Sequence, residues 1–160
     1  MAIVYENVFY DFVLVPLKAI FDEEFSYGKI YIAPEILYKD PFSIRIWGNN
    51  GESVEYLNDA WQKQYNIEIF LYSIEKNPQE NFYKQFYNDI ERIYQLLFEN
   101  ALFKSTAVTG SGSNVGEKEH KWIDGSCEEH IINDFEEGEE EIDGLNVCKF
   151  IFNCKIMRVD

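Results

Sequence analysis

Two segments of the chain show strand-like hydrophobic periodicity. Residues 63–74 alternate at period two, which predicts a β-strand with one buried face. Phe70 and Tyr72 fall on its other face and indicate that this face is partly covered as well. Residues 148–156 alternate in the same way and predict a final strand. The apolar positions of the two strands are Tyr65, Ile67, Ile69 and Leu71, then Cys148, Phe150, Phe152, Cys154 and Ile156.

A long amphipathic helix is predicted between these strands. Asn77 is placed to cap it, Pro78 suits its first turn, and Glu80 is placed to complete a capping box. The helix should end near Asn100, with Asp89 and Arg92 facing solvent. Its apolar face is broad enough to lie across a sheet. That face contains Phe82, Phe86, Ile90, Ile93 and Leu97, flanked by Tyr83, Tyr87 and Tyr94.

The remaining elements complete a prediction of fold class. A helix over 5–25 is expected to kink, or to begin its second half, at Pro16. Short strands are predicted over 29–33 and 42–47, a turn over 48–51, and a strand over 121–132. We therefore expect a single α+β domain over 1–160, with a mainly antiparallel sheet flanked by an N-terminal helix and one long central helix. The Gly/Ser-rich stretch 109–116 is predicted to be a flexible loop, and residues 135–144 an acidic loop.

Composition narrows the function classes. The 160 residues are 46% hydrophobic and 17% aromatic, enough for a sizeable core, and the formal net charge is -15. Such acidity argues against sequence-specific nucleic-acid binding, which relies on Lys and Arg clusters. Residues 117–143, the acidic segment, hold 12 Asp and Glu against 2 Lys, a net of -10.

Three cysteines without CxxC spacing favour a reducing compartment and cytoplasmic synthesis. The N-terminus lacks the basic region of a signal peptide, and the apolar runs are too short to span a bilayer.

No phosphate-binding, zinc-binding or calcium-binding motif in the sequence is complete. The stretch 110–118 resembles a phosphate loop, but its spacing is wrong and Glu117 stands where the lysine belongs. His120, Cys127 and His130, with Cys148 or Cys154, match no zinc spacing. The glutamates of the acidic segment lack the ligand order of a calcium loop. We therefore assign no catalytic, metal or cofactor-binding residue, expect no cofactor, and expect that the protein is not an enzyme.

The order and size of the predicted helices and strands resemble those of a known protein family. An N-terminal helix, the QKQYNIEIFLYS strand, the NPQENFYKQFYNDIERIYQLL helix, a Trp-containing strand and the CKFIFNCKI strand together resemble the tail-terminator proteins of long-tailed bacteriophages. The resemblance covers most of residues 5–158, with no single diagnostic motif. The acidic segment departs from what that family would predict.

The resemblance implies a virion protein made in the host cytoplasm. It would form a homo-oligomeric ring, expected to be a hexamer, that caps the tail tube and meets the head connector while DNA passes through the lumen. Acidic side chains expected to face lumen or solvent are Glu136, Glu137, Glu139, Glu140 and Glu141. Aromatic residues expected at subunit contacts are Tyr27, Tyr31, Trp47 and Tyr56, although core packing is an open alternative for at least half of them.

Three alternatives stay open at this point. Within the same class, the chain is a neck or head-closure adaptor, or another tail component. In another class, it is a small-ligand-binding or enzymatic α+β domain, for which a deep pocket beside a perturbed carboxylate or histidine would argue. The last is an acidic mimic of DNA, which would need two rows of carboxylates at phosphate spacing.

Overall fold

The computed structural model describes residues 7–33, 40–56, 61–100, 108–109 and 119–159. Within these ranges the chain forms two helical segments and a six-stranded sheet. The helical segments are a π-helical turn at Tyr10–Leu14 that continues into α1 (Val15–Glu24), and α2 (Glu80–Glu99). The strands are β1 (Lys29–Ile32), β2 (Phe42–Tyr56), β3 (Trp61–Ile74), β4 (Val108–Thr109), β5 (Glu119–Ile132) and β6 (Leu145–Val159). A 3₁₀ turn covers Glu139–Glu141.

The sheet has the order β1-β2-β3-β6-β5-β4. Its pairs are antiparallel except for β1 and β2, which are parallel. This confirms the predicted α+β class with a mainly antiparallel sheet, an N-terminal helix and a central helix. The two strands with the clearest alternation, β3 and β6, pair side by side in the middle, where Ile69 lies opposite Phe150. Their register places both apolar sets on one face.

The main core lies between that face and the helices. Tyr65, Ile67, Ile69 and Leu71 of β3 are all buried there. The predicted inner face of α2 packs against the same face: Phe86, Ile90, Ile93 and Leu97 are buried, and Phe82 is half-buried. The prediction of a helix lying across a sheet is confirmed, because a 3.6-residue period and a two-residue period each present one continuous apolar surface.

The N-terminal helix divides at its proline, as expected. Pro16 lies in the first turn of α1, and because the π-helical turn runs directly into α1, its missing N–H removes one bond from the helical backbone ladder. Trp122 ties the π-helical turn to β5, because its indole N–H donates to the carbonyl oxygen of Phe12 at 2.7 Å. Residues 5 and 6 of the predicted helix lie outside the described residues.

The predicted turn at residues 48–51 is wrong. β2 continues through it to Tyr56, with a register shift between Gly48 and Asn50. The glycines serve close packing instead: a Cβ on Gly48 would overlap the ring of Phe9, and one on Gly51 would crowd Tyr65. A bulge with small residues absorbs the irregularity without ending the strand.

The predicted cap of α2 is also wrong. The helix begins at Glu80 with Gln79 as its N-cap residue, and no side chain caps it. Asn77 instead donates its backbone N–H to the carboxylate of Glu75 at 3.4 Å. The far end matches the prediction, since Asn100 closes the helix by donating its side-chain amide to the carbonyl of Leu96 at 2.8 Å.

A second, smaller core covers part of the other sheet face, as the sequence indicated. Phe70 and Tyr72 are buried there with Leu145 and Val147. Trp47, Ile74 and Ile142 pack against them. Of the loop predicted over 109–116, Thr109 belongs to β4 and residues 110–116 lie outside the described residues.

Candidate assembly surface

The four aromatic residues predicted at subunit contacts divide into two pairs. Tyr56 is 82% exposed, and Tyr27 is 58% exposed although its hydroxyl bonds Asp89 and Arg92 within the chain. Tyr31 and Trp47 are half-buried and engaged within the chain. Tyr31 donates to Asp40 at 2.6 Å, and the ring of Trp47 stacks on Phe70 with 4.4 Å between centroids. An interface role stays a prediction for all four residues. The exposure of Tyr27 and Tyr56 fits that role better than the half-buried positions of Tyr31 and Trp47 do.

The outer half of β2 is an edge of the sheet, paired with β3 on one side only among the described strands. The two strands stay paired as far as Tyr56 and Trp61, but β1 pairs with β2 only from Ser43 to Ile46. Beyond Ile46, no described strand covers the outer edge of β2, and residues 49–56 are all exposed. Exposed edge strands present unpaired N–H and C=O groups, which favour pairing with another chain. We call residues 49–56 the arm.

A row of exposed aromatic side chains follows one flank of α2. The row consists of Tyr83, Tyr87, Tyr94 and Phe98, whose exposed fractions are 38%, 52%, 40% and 75%. Their spacing of four, seven and four residues places them on one side of the helix, beside the buried face. The edge of the Tyr94 ring meets His130 of β5, with 6.3 Å between ring centroids. This aromatic row therefore lies toward the β5 side of the sheet, whereas the arm belongs to the β2 side.

The acidic segment is more structured than predicted. Glu136, Glu137, Glu140 and Glu141 are exposed, in keeping with a lumen or solvent position. Glu139 is the exception and a correction: its side chain is 1% exposed, and its carboxylate accepts the backbone N–H of Glu136 at 2.7 Å. It folds back onto the segment that precedes the 3₁₀ turn and satisfies a backbone N–H there, because an unpaired backbone N–H is costly to bury.

A polar network joins the end of α1 to α2, and it corrects the prediction for Asp89. That side chain is 3% exposed rather than solvent-facing, and it accepts hydrogen bonds from Gln85 at 2.9 Å and from the Tyr27 hydroxyl at 3.3 Å. Arg92 is not free in solvent either. Its Nε donates to a carboxylate oxygen of Glu24 at 2.6 Å and its Nη1 donates to the Tyr27 hydroxyl at 3.1 Å.

The titration of this network follows from burial. Burial raises the pKa of the Asp89 carboxyl, and the hydrogen bonds from Gln85 and Tyr27 lower it only in part. Burial also raises the pKa of the Tyr27 hydroxyl, with the Asp89 charge adding to that rise. The pKa of Arg92 is raised chiefly by its bond to Glu24. The network thus holds a charged guanidinium as a tie between two helices.

A shallow cavity opens beside this network. It has a volume of about 170 Å³ and is lined by Glu24, Arg92, Gln95, Leu96 and Glu99. Small-molecule sites have volumes of roughly 300–1,000 Å³ and are mostly apolar. The perturbed carboxyl of Asp89 is not part of the lining. The cavity therefore does not match the deep pocket that a ligand-binding or enzymatic domain would need.

The cysteines lie in or beside the hydrophobic core. Cys148 and Cys154 are fully buried and Cys127 is half-buried. Burial raises the pKa of the Cys127 thiol to about 11 and that of Cys148 to about 12, and it raises the pKa of Cys154 as well. At neutral pH all three are protonated thiols, which act as small apolar groups.

The described ranges contain neither a metal-binding cluster nor a membrane-spanning helix. No group of three or more His, Cys, Asp or Glu side chains there is arranged to hold a metal ion. The side chain of His120 lies outside the described part. In those ranges no helix combines the length and the apolar character needed to cross a membrane.

Sequence reasoning missed the arm and the buried polar residues. The arm was missed because glycine and asparagine in 48–51 imitate a turn. The spacing of Tyr83, Tyr87 and Tyr94 predicts them as flanks of the buried face, whereas the structure exposes them in one row with Phe98. A comparison of the chain with protein-family models and with curated proteins finds no match.

Proposed function

We propose that this chain is a virion assembly protein, a tail terminator that forms a ring, caps the tail tube and joins it to the head connector. The observation that carries the proposal is a pair of unlike exposed surfaces toward opposite sides of one sheet: the arm on the β2 side and the aromatic row on the β5 side. Head-to-tail contacts need two different patches on one subunit, and they close into rings when the rotation between neighbours allows it.

The arm supports one half of such a contact. Its strand edge offers main-chain hydrogen bonds to an adjacent chain, and Tyr56 at its end offers a ring to bury. Glu52 and Glu55 make the arm acidic, which discourages indiscriminate pairing between arms.

The aromatic row supports the other half. Aromatic residues dominate the buried centres of protein interfaces, because each ring removes a large apolar area from water. Phe98, at 75% exposed, gains most from being covered. The row lies on a rigid helix, so little side-chain and backbone freedom would be lost on contact.

The charge distribution is compatible with a lumen that carries DNA. Exposed glutamates 136, 137, 140 and 141 repel a passing duplex, so that it slides without being held. Six chains carry a formal charge near -90, which is six times -15, and such repulsion favours placing the acidic segment away from subunit contacts.

Related roles follow from the same surfaces. A neck or head-closure adaptor, or another tail component, would use unlike patches in the same way, and the tail tube protein and the head connector are the partners we propose. The protein would be located in the virion and would act without a cofactor and without catalysis.

Two experiments test the proposal. The first is native mass spectrometry, where a hexamer of 18.9-kDa chains would appear near six times that mass, about 113 kDa. Phe98→Ser combined with Tyr87→Ser should shift the mass toward the monomer while circular dichroism stays unchanged. Lys84→Ala, on the same helix and exposed, is the matched control.

The second experiment is electron microscopy of particles made by the source genome after deletion of this gene. Full heads separate from overlong or unjoined tails would establish tail termination. Normal infectious particles, or a source that makes no particles, would refute the assembly proposal.

A further inference from the structure

Arg45 is a buried cation on the sheet face opposite the helices. Its side chain is 1% exposed, and its guanidinium lies over the ring of Tyr31, 4.4 Å from the ring centroid. In the sheet register it stands between Tyr31 of β1 and Phe70 of β3. Trp47, two residues further along β2, stacks on Phe70. The cation therefore sits among aromatic rings rather than in water.

The charge of Arg45 is not balanced within the described chain. No described residue accepts a hydrogen bond from its Nε or its Nη2. The carboxylates nearby are engaged elsewhere: Asp40 accepts the Tyr31 hydroxyl and lies 3.8 Å from the amine of Lys29, and Glu68 pairs with Lys149 at 3.3 Å. A buried ion without an opposite charge is costly, because it has lost its hydration and the contact with the Tyr31 ring replaces only part of it.

The geometry of the unpaired donors indicates what would complete the site. Nε and Nη2 form one edge of the guanidinium, and their N–H bonds point the same way. Two oxygens of one carboxylate or phosphate fit such a pair bidentately. Ser43 lies on the same face of β2, two residues and thus about 6.6 Å away along the strand. Its hydroxyl oxygen is buried and has no partner among the described residues.

Charge and surroundings favour a carboxylate over a phosphate. One guanidinium balances one negative charge, whereas a phosphate dianion would leave an excess charge buried in a protein whose net charge is already -15. We propose that Arg45, assisted by the Ser43 hydroxyl, binds the carboxylate group of a small organic acid on this face of the sheet. Because Arg45 is 1% exposed, neighbouring side chains must move to admit the acid, so binding should be slow.

The test measures melting temperatures in sodium acetate and in sodium chloride at equal ionic strength. At about ten times its Kd, acetate should raise the melting temperature by about 3–5 °C more than chloride does. Arg45→Met should abolish this excess. Lys84→Met makes the same change in net charge at an exposed position and should keep it. In chloride alone, Arg45→Met should melt at or above the wild-type temperature, since it removes an unpaired charge.

Three results would overturn the proposal. One is an equal response of the wild-type protein to acetate and chloride, and another is an acetate excess that survives in Arg45→Met. A response to phosphate without one to acetate would overturn the assignment to a carboxylate. If Arg45→Met does not fold, a second measurement tests whether acetate binds. It is the NMR line width of ¹³C-labelled acetate in the presence of the wild-type protein. Broadening that is reduced in Ser43→Ala supports the site, and no broadening by the wild-type protein refutes it.

Discussion

Replacement of Arg92 by alanine should loosen the contact between α1 and α2. The guanidinium makes three hydrogen bonds across that contact: to the carboxylate of Glu24 at 2.6 Å, to the backbone carbonyl of Glu24 at 2.8 Å, and to the Tyr27 hydroxyl at 3.1 Å. It also lies over the ring of Phe25, 4.6 Å from the centroid. The bond to the Glu24 carbonyl matters because Glu24 is the last residue of α1, where carbonyls lack helical partners.

The expected loss can be assembled from these contacts. The Arg92 and Glu24 side chains are 35% and 38% exposed, so solvent screening limits the ion pair to about 0.5–1 kcal/mol. The bond to the carbonyl contributes about 1 kcal/mol, and the ring contact about 0.5–1 kcal/mol. Arg92→Ala should therefore lower the free energy of unfolding by about 2–3 kcal/mol, and the melting temperature by roughly 4–12 °C.

Urea denaturation followed by circular dichroism measures this loss. Lys84→Ala removes an exposed cation from the same helix and should stay within about 0.5 kcal/mol of the wild-type protein. Glu24→Gln removes the charge but keeps the carbonyl, so it should cost about 1 kcal/mol or less. An Arg92→Ala variant as stable as Lys84→Ala would refute the assignment of Arg92 as a tie between the helices.

Three further predictions concern other parts of the chain. Burial raises the pKa of Asp89, so the stability that its protonated form contributes is present at low pH and is lost as pH rises through that pKa. The melting temperature of Asp89→Asn minus that of the wild-type protein should therefore increase as pH rises from 3 to 7. A difference that stays constant over this range would contradict the prediction. Ile93→Asp should abolish cooperative folding, because it places a charge in the main core, and a soluble variant with a cooperative melt would refute the helix placement. Gly144→Ala should cost at least about 1 kcal/mol in urea denaturation, because φ is +78° and a Cβ would overlap the backbone of Glu75; an unchanged midpoint would show that this turn adapts.

Local pattern was sufficient for the main elements. The alternation in β3 and the helical spacing through Phe86 and Ile93 identify which faces are buried, because side-chain direction in a strand or helix depends only on the local period. The same reasoning failed at 48–51 and at Asn77, where residues typical of turns and caps are used in other ways. In both places a neighbouring side chain occupies the site: the Phe9 ring fills the space beside Gly48, and the Glu75 carboxylate accepts the backbone N–H of Asn77.

The candidate surfaces were only partly predictable. The sequence predicts both Tyr56 and Trp47 at subunit contacts, but only Tyr56 is exposed, and Trp47 stacks on Phe70 against the second core. An aromatic residue has the same local signature in both environments. Both residues lie on β2, and only their tertiary surroundings distinguish them: Trp47 packs on Phe70 of the neighbouring strand, whereas Tyr56 ends the part of β2 that β1 does not pair with.

The sequence by itself determined β3, β6 and most of α2, the apolar face that each of them buries, and the concentration of acid in one segment, since these depend on near neighbours and on composition. The tertiary structure alone decided the strand order, the burial of Arg45, Asp89 and Glu139, and which part of β2 is left as an uncovered sheet edge. The physical reason is that a charged side chain is buried only where distant parts of the chain meet around it. Those meetings depend on register and packing between elements far apart in sequence, which no local period encodes.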